Sequence, residues 1–286
     1  MINLAETFEH FPQAPAIEAV LDIKARATVE LTEQRLLEAA QQHLPAYEFL
    51  DSQREIKPEV RFSTANGEEI QQGPQDLGWK GMRFRSADRG YIVNIHRDGM
   101  TFSRLSPYQD WEQFQEEGLR LWDFSTYLIK PETISRIGVR FINQIVLPQG
   151  EVNFERYMTS PPSPPEDMSM PFLGFMHQGI FQVPESPYSI MITKTIQPPS
   201  PTTNNRFALI LDIDVFTTMP RPTTTAGLEA CLKDMRWLKN KAFFSSITEK
   251  ANADSTSQCI SFSPGSPARE RPHWACESRV TSGAAD

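Results

Sequence analysis

Four arginines on two predicted strands are the side chains whose spacing suggests chemistry in this sequence. From Trp79 to Arg85, Met82 and Phe84 alternate with Arg83 and Arg85. Strand side chains point to opposite faces in turn, so the arginines share one face and the apolar pair the other. In ISRIGVRFINQIVLP, residues 134–148, Arg136, Gly138 and Arg140 stand opposite Ile137, Val139 and Phe141 in the same way. If both strands belong to one sheet, four guanidinium groups share a face and can hold a phosphate or carboxylate through bidentate hydrogen bonds. Asp212 and Asp214 share a face of their own strand and offer the competing arrangement, a cross-strand ladder of ion pairs worth ~0.2–1 kcal/mol each. The two arrangements differ in whether the arginines line a concave pocket or a wet convex face.

Other chemistry-bearing residues are scattered. His10, His43, His96, His177 and His273 show no HxxxH, HExxH or HxH spacing, so no metal centre is expected. His96, beside Arg97-Asp98, is the histidine to mutate first. There is no GxSxG, SxxK, phosphate loop or GxGxxG, so neither a catalytic nucleophile nor a cofactor is expected. Cys231 falls within the apolar stripe of a predicted helix and reads as a small core residue; Cys259 and Cys276 lie after residue 251, with no CxxC pair. Trp111, Phe114 and Trp122 on one helix, and Trp237, Phe243 and Phe244 on another, either fill the core or line a ligand cavity between helix and sheet. Trp237 lies beside its helix's stripe and reads as a contact for a partner protein or a second copy of the chain. Asn143 sits in a strand that otherwise reads as buried, so it needs hydrogen-bond partners.

The elements that must position these residues are legible from periodicity. An alternating strand runs over PAIEAVLDIK, 15–24, with Ile17, Ala19, Leu21 and Ile23 on one face. A helix follows over about 32–44, carrying Leu36, Leu37, Ala40 and Leu44 and stopped by Pro45, then short extended pieces near 47–53 and 58–64. A meander comes next: Trp79–Arg85, Tyr91–His96 and Met100–Leu105, with Ala87-Asp88-Arg89-Gly90 and Arg97-Asp98-Gly99 at its turns. The helix after it is expected to start at Ser106, with Pro107 in its first position and Gln109 completing a capping box, and to carry Trp111, Phe114, Gly118, Leu119 and Trp122 inward. It should end before Lys130-Pro131. A long strand over 133–147 opens the second half. A proline-rich loop at 159–171 and strands near 172–182, 187–196 and 206–216 follow, and a helix over 225–247 closes it. Each half thus runs strand, excursion, antiparallel strands, long helix. The expected fold is α+β: a mainly antiparallel sheet gripping long amphipathic helices, in a TATA-binding-protein-like or helix-grip arrangement.

Composition sets outer limits. The chain has 286 residues, 39% of them apolar and 22% charged, as in ordinary soluble domains. Residues 1–250 can bury roughly 70% of their unfolded surface and need neither metal nor disulfide. They are expected to form one domain with halves of about 12–130 and 131–250; 251–286 read as a disordered tail without apolar period. The net charge of −8 resides almost wholly before residue 251. It argues against a global field for nucleic acid or anionic membrane, although a local basic patch is compatible with it. No apolar run is long enough to cross a membrane and MINLAETFEHFPQAP has no signal-peptide pattern, so a reduced, cytoplasmic protein is expected.

Four blocks carry a resemblance: PAIEAVLDI (15–23), LSPYQDWEQF (105–114), ISRIGVRFINQIVLP (134–148) and LKNKAFFSSITEKA (238–251). Together they resemble a patchily distributed bacterial and archaeal family of proteins of unknown function, marked by a PxxEAVxxI start and a KNxxFFxSxTEK end. The resemblance spans residues 12–251 and implies one shared domain. It brings no catalytic residue, cofactor or substrate. The patchy distribution suggests a mobile or defence-associated setting, and the chain departs from the family pattern after Ala251.

Three functional expectations follow. The first is a non-enzymatic binding or interaction protein, with a protein partner or self-association. The second is a small-molecule or anion binder, or an enzyme, built on a helix-grip cavity. The third is a nucleic-acid-associated protein that uses the arginine face.

Overall fold

The computed structural model describes residues 2–11, 14–57, 60–63, 69–72, 75–149, 153–163, 167 and 174–249; for 60–63 and 69–72 the description is of the backbone. The expected tail at 251–286 and part of the proline-rich loop lie outside the described residues.

The chain is α+β. In chain order the elements are β1 (Ala16–Ala27), α1 (Glu33–His43), β2 (Tyr47–Lys57), β3 (Val60–Ser63), β4 (Glu69–Gln72), β5 (Gln75–Ser86), β6 (Tyr91–His96), β7 (Gly99–Leu105) and α2 (Trp111–Ile129). Then come β8 (Pro131–Val146), β9 (Met176–Gln182), β10 (Ser189–Gln197), β11 (Ala208–Thr217) and α3 (Thr225–Ser246). Nine strands form one antiparallel sheet in the order β2-β5-β6-β7-β1-β8-β11-β10-β9, and β3 and β4 pair as a separate hairpin. The two strands that open the halves, β1 and β8, lie side by side at the centre. Each is flanked on its outer side by the strand that leads into a long helix, β7 into α2 and β11 into α3.

Register explains which face is covered. Phe84, Val93, Phe102, Leu21, Val139 and Val215 stand directly opposite one another across six strands, and all are buried. Met82, Ile95, Met100, Ile23 and Ile137 form the next row. Strand alternation puts every residue of these rows on one face, against which the helices pack. α2 brings Trp111, Phe114, Leu121, Trp122 and Leu128; α3 brings Leu228, Leu232, Met235 and Leu238. Gly118 lets α2 sit close, since a Cβ there would meet Leu21 Cδ2 at 2.8 Å. Leu37, expected inward on α1, is instead partly exposed beside the buried Leu36 and Ala40. A register shift between Ala16 and Glu18 leaves Ile17 only half-buried.

The expected start of α2 needs correction. Ser106–Pro107 is a cis peptide, and the helix begins four residues after Pro107. Asp110 is its cap, accepting a hydrogen bond from the Gln113 amide at 2.8 Å. A carboxylate there satisfies a free N–H and also meets the positive end of the helix dipole. Residues 107–110 thereby stay out of the helix and pass over one end of the central strands. The other end of α2 stands where proline placement puts it, with Lys130 in the left-handed conformation at φ 44°.

Candidate functional site

The sheet face turned away from the helices carries the arginines. All four lie on it, but β6, β7 and β1 separate Arg83 and Arg85 on β5 from Arg136 and Arg140 on β8. Four strand spacings amount to about 19 Å, too far for the pairs to meet on one small anion. Each pair also has partners within the chain. Arg140 grips Asp212 through two hydrogen bonds of 2.8 and 2.5 Å. Arg83 holds Asp51 on β2 by the same fork. Arg136 bridges Asp22 and Asp214, the latter at 3.1 Å. Arg85 stands opposite Glu48, with its Nε buried and unpartnered.

A glycine makes room for the central bridge. A Cβ on Gly138 would lie 2.6 Å from Arg136 Nη1, so the guanidinium lies across a position with no side chain. It also lies 5.4 Å from the ring centroid of Phe216, the cross-strand partner of Gly138. From Asp22 the network continues to Thr101, whose hydroxyl donates to Asp22 at 3.0 Å, and to His96 Nε2, 3.2 Å from that hydroxyl. Asp212 hydrogen bonding holds Arg140 above its ordinary pKa, and burial pushes His96 down. Asp214 is pushed up by burial, against the pull of Arg136 and Arg140. The guanidiniums of Arg83, Arg136 and Arg140 are thus engaged by the chain's own aspartates.

A second arrangement lies at one end of the helix-covered face. The N-terminal segment, the 108–112 stretch, the central strand β8 and α3 frame a half-open cleft of about 170 Å³. Its position follows from the late start of α2: Tyr108 is buried, and its ring packs on Phe141 at 5.2 Å. Phe8 and Phe11 close another side by stacking on Phe244 at 5.4 and 5.6 Å. Two cations one helical turn apart, Arg236 and Lys239, come from α3.

Lys239 is the unusual group. Its Nζ lies 4.0 Å from the Phe141 ring centroid and 5.9 Å from that of Trp111, and it donates to Asn240 Oδ1 at 2.7 Å. Among the described residues it makes no ion pair. Burial, helped by the charge of Arg236, brings its pKa down to about 7. Arg236 donates to Glu112 at 2.7 Å and lies 5.7 Å from the Trp111 ring. The Tyr108 hydroxyl is buried without a hydrogen-bond partner among the described residues, and burial pushes its pKa up. Native buried hydroxyls are nearly always paired, so this one is open to a hydrogen-bonding group that enters the cleft.

Of the remaining expected site residues, Trp237 is met by the chain's own Phe8 at 6.4 Å, and its indole N–H is buried and unpartnered. Asn143 donates to the Phe141 and Leu211 carbonyls. Cys231 is a buried free thiol. Among the described residues no group of histidine, cysteine and acidic side chains could hold a metal ion, and no helix is long and apolar enough to cross a membrane.

The sequence reading reached the aromatics Trp111, Phe243 and Phe244 but missed Lys239, Arg236 and Tyr108. A signal existed: Arg236, Lys239, Asn240, Phe243 and Phe244 recur at helical spacing as a second stripe beside the apolar one. It passes for the solvated side of an amphipathic helix unless the N-terminal segment is known to fold over it. No protein-family model, curated protein or solved structure matches the chain.

Proposed function

We propose that the protein binds a small molecule with an anionic group and a flat apolar part, in the cleft between its N-terminal segment, Tyr108–Glu112 and α3. One observation carries this reading: Lys239 makes no ion pair among the described residues and is held against two aromatic rings at a cost in desolvation. An anion entering the cleft would supply the missing charge, the aromatic walls would take its apolar part, and Tyr108 would donate the remaining hydrogen bond. The arginine face supports anion or nucleic-acid binding less well, because aspartates already occupy its forks.

The test is calorimetric titration of the full chain with phenylacetate as probe, alongside benzoate and indole-3-acetate. Binding with a negative heat-capacity change, weakened about tenfold or more by Lys239→Met, is the expected result. No heat from any of the three at millimolar concentration would reject the reading.

A second reading, self-association or a protein partner, is favoured by the edge strand β9. Met176, Ile180 and Phe181 are exposed there, and MHQGIFQ contains no lysine, glutamate or proline to blunt the edge. Sedimentation at rising concentration tests it. In the same spirit we read residues up to 250 as one TATA-binding-protein-like domain, a strand-helix-four-strand-helix unit followed by a shortened second one. The element order and the central β1–β8 pair support that. The resemblance to a sporadically distributed family supports a mobile or defence-associated setting, and the cysteine pattern supports a reduced, cytoplasmic one.

A further inference from the structure

A lysine amine attacks carbonyl carbon only when it has lost its proton, and proteins favour that state with apolar walls, a neighbouring cation and no carboxylate partner. The cleft combines all three around Lys239: the Phe141 and Trp111 rings, Arg236 one turn away, and no ion pair among the described residues. The amine and the unpartnered Tyr108 hydroxyl belong to side chains that both pack on Phe141. Arg236 uses one nitrogen, Nη1, for Glu112, whose side chain is 67% exposed, so its other donors remain for a ligand carboxylate.

We propose that Lys239 forms a reversible imine with a carbonyl compound that also bears a carboxylate, an α-keto acid or aldehyde acid, whose carboxylate Arg236 binds. This rests on the anion-binding reading above. The neutral Nζ donates its electron pair to the carbonyl carbon; the C–N bond forms and the carbonyl π pair moves to oxygen. A proton passes from nitrogen to that oxygen, with Tyr108 as the donor and acceptor within the cleft, giving a carbinolamine. The C–O bond then breaks as the oxygen takes a second proton from Tyr108 and leaves as water; the nitrogen pair closes the C=N bond, and the proton still on nitrogen returns to Tyr108. Hydrolysis reverses each step, and no oxidant or further reactant is needed.

The experiment is reductive trapping on the full chain with glyoxylate and cyanoborohydride, read by peptide mass mapping, with phenylacetate titration of the same preparation. A carboxymethyl adduct forming at Lys239 at least ~10-fold faster than at any other lysine is expected. Tyr108→Phe should slow it, and Arg236→Gln should slow glyoxylate more than propanal. Lys239→Met should remove the adduct. Phenylacetate binding with labelling spread over surface lysines would overturn the imine alone. Neither binding nor selective labelling would overturn both readings.

Discussion

The amine of Lys239 stands 4.0 Å from the ring centroid of Phe141, one of the β8 residues on the helix-covered face. That placement has a thermodynamic consequence. The folded pKa is about 7, below the ordinary 10.5. Above pH 10.5 folded and unfolded chains both carry the neutral amine, and the residue costs nothing. As pH falls, the unfolded chain takes up the proton first, so stability is lost until about pH 7 and the cost is constant below that. Lys239→Met should therefore stabilise the protein by about 1–3 kcal/mol at neutral pH, with the gain shrinking towards pH 10.5. Urea denaturation at both pH values measures this. A loss of stability at neutral pH would mean the amine has a counter-charge in the fold.

Gly138 and Arg136 give a second, independent prediction. A strand glycine replaced by alanine usually gains stability, because its unfolded chain loses freedom. Here the new Cβ would displace the guanidinium from Asp22 and the buried Asp214. Gly138→Ala should cost about 1–2 kcal/mol in the native sequence and nothing, or a slight gain, in an Arg136→Met background. Chemical denaturation of the four proteins of this cycle gives the coupling directly.

Periodicity carried the architecture because burial on one face imposes it. The alternation around Val139 and the helical stripe Leu228-Cys231-Leu232-Met235-Leu238 both mark groups that must leave water, and all of them do. The same logic placed the four arginines on a common face. It could not say how many strands separate them, since strand order depends on pairing between segments far apart in the chain. The cleft was less legible still. Lys239 and Arg236 have the pattern of a wet helix face, and their surroundings come from Phe8, Phe11 and Tyr108, none of them neighbours in sequence. The start of α2 was misplaced because Ser106-Pro107 and Asp110 both satisfy local capping rules, and only the passage of 107–110 over Phe141 separates them.

Acid sensitivity should have an identifiable source in Glu117. Burial pushes this carboxyl up, but hydrogen bonds from Arg120 and from the Tyr47 hydroxyl at 2.6 Å outweigh it and hold its pKa below the ordinary 4.5. A depressed carboxylate contributes stability above its unfolded pKa and loses it as pH falls through the folded one. Tyr47→Phe should cost about 1–2 kcal/mol at neutral pH, and the difference from wild type should narrow below pH 4.5. Denaturation midpoints across that range supply the check; a constant difference would assign the loss to packing alone.

The last prediction concerns what holds the cleft's outer wall in place. Phe8 and Phe11 are the contacts through which the N-terminal segment stacks on Phe244, and Phe8 also meets Trp237. Phe11 is buried, whereas Phe8 is only half-covered. Phe11→Ala should accordingly cost more, about 3 kcal/mol against about 1 kcal/mol for Phe8→Ala. Either change frees the segment from α3 and admits water to the indole of Trp237. Because the same segment lines the binding cleft, phenylacetate affinity should fall in both variants, by a larger factor than for a substitution on the arginine face such as Arg83→Gln. Thermal melting and tryptophan emission report the first effects and titration the second. Affinity unchanged in Phe11→Ala, with the red shift present, would show that the segment covers α3 without forming part of the site.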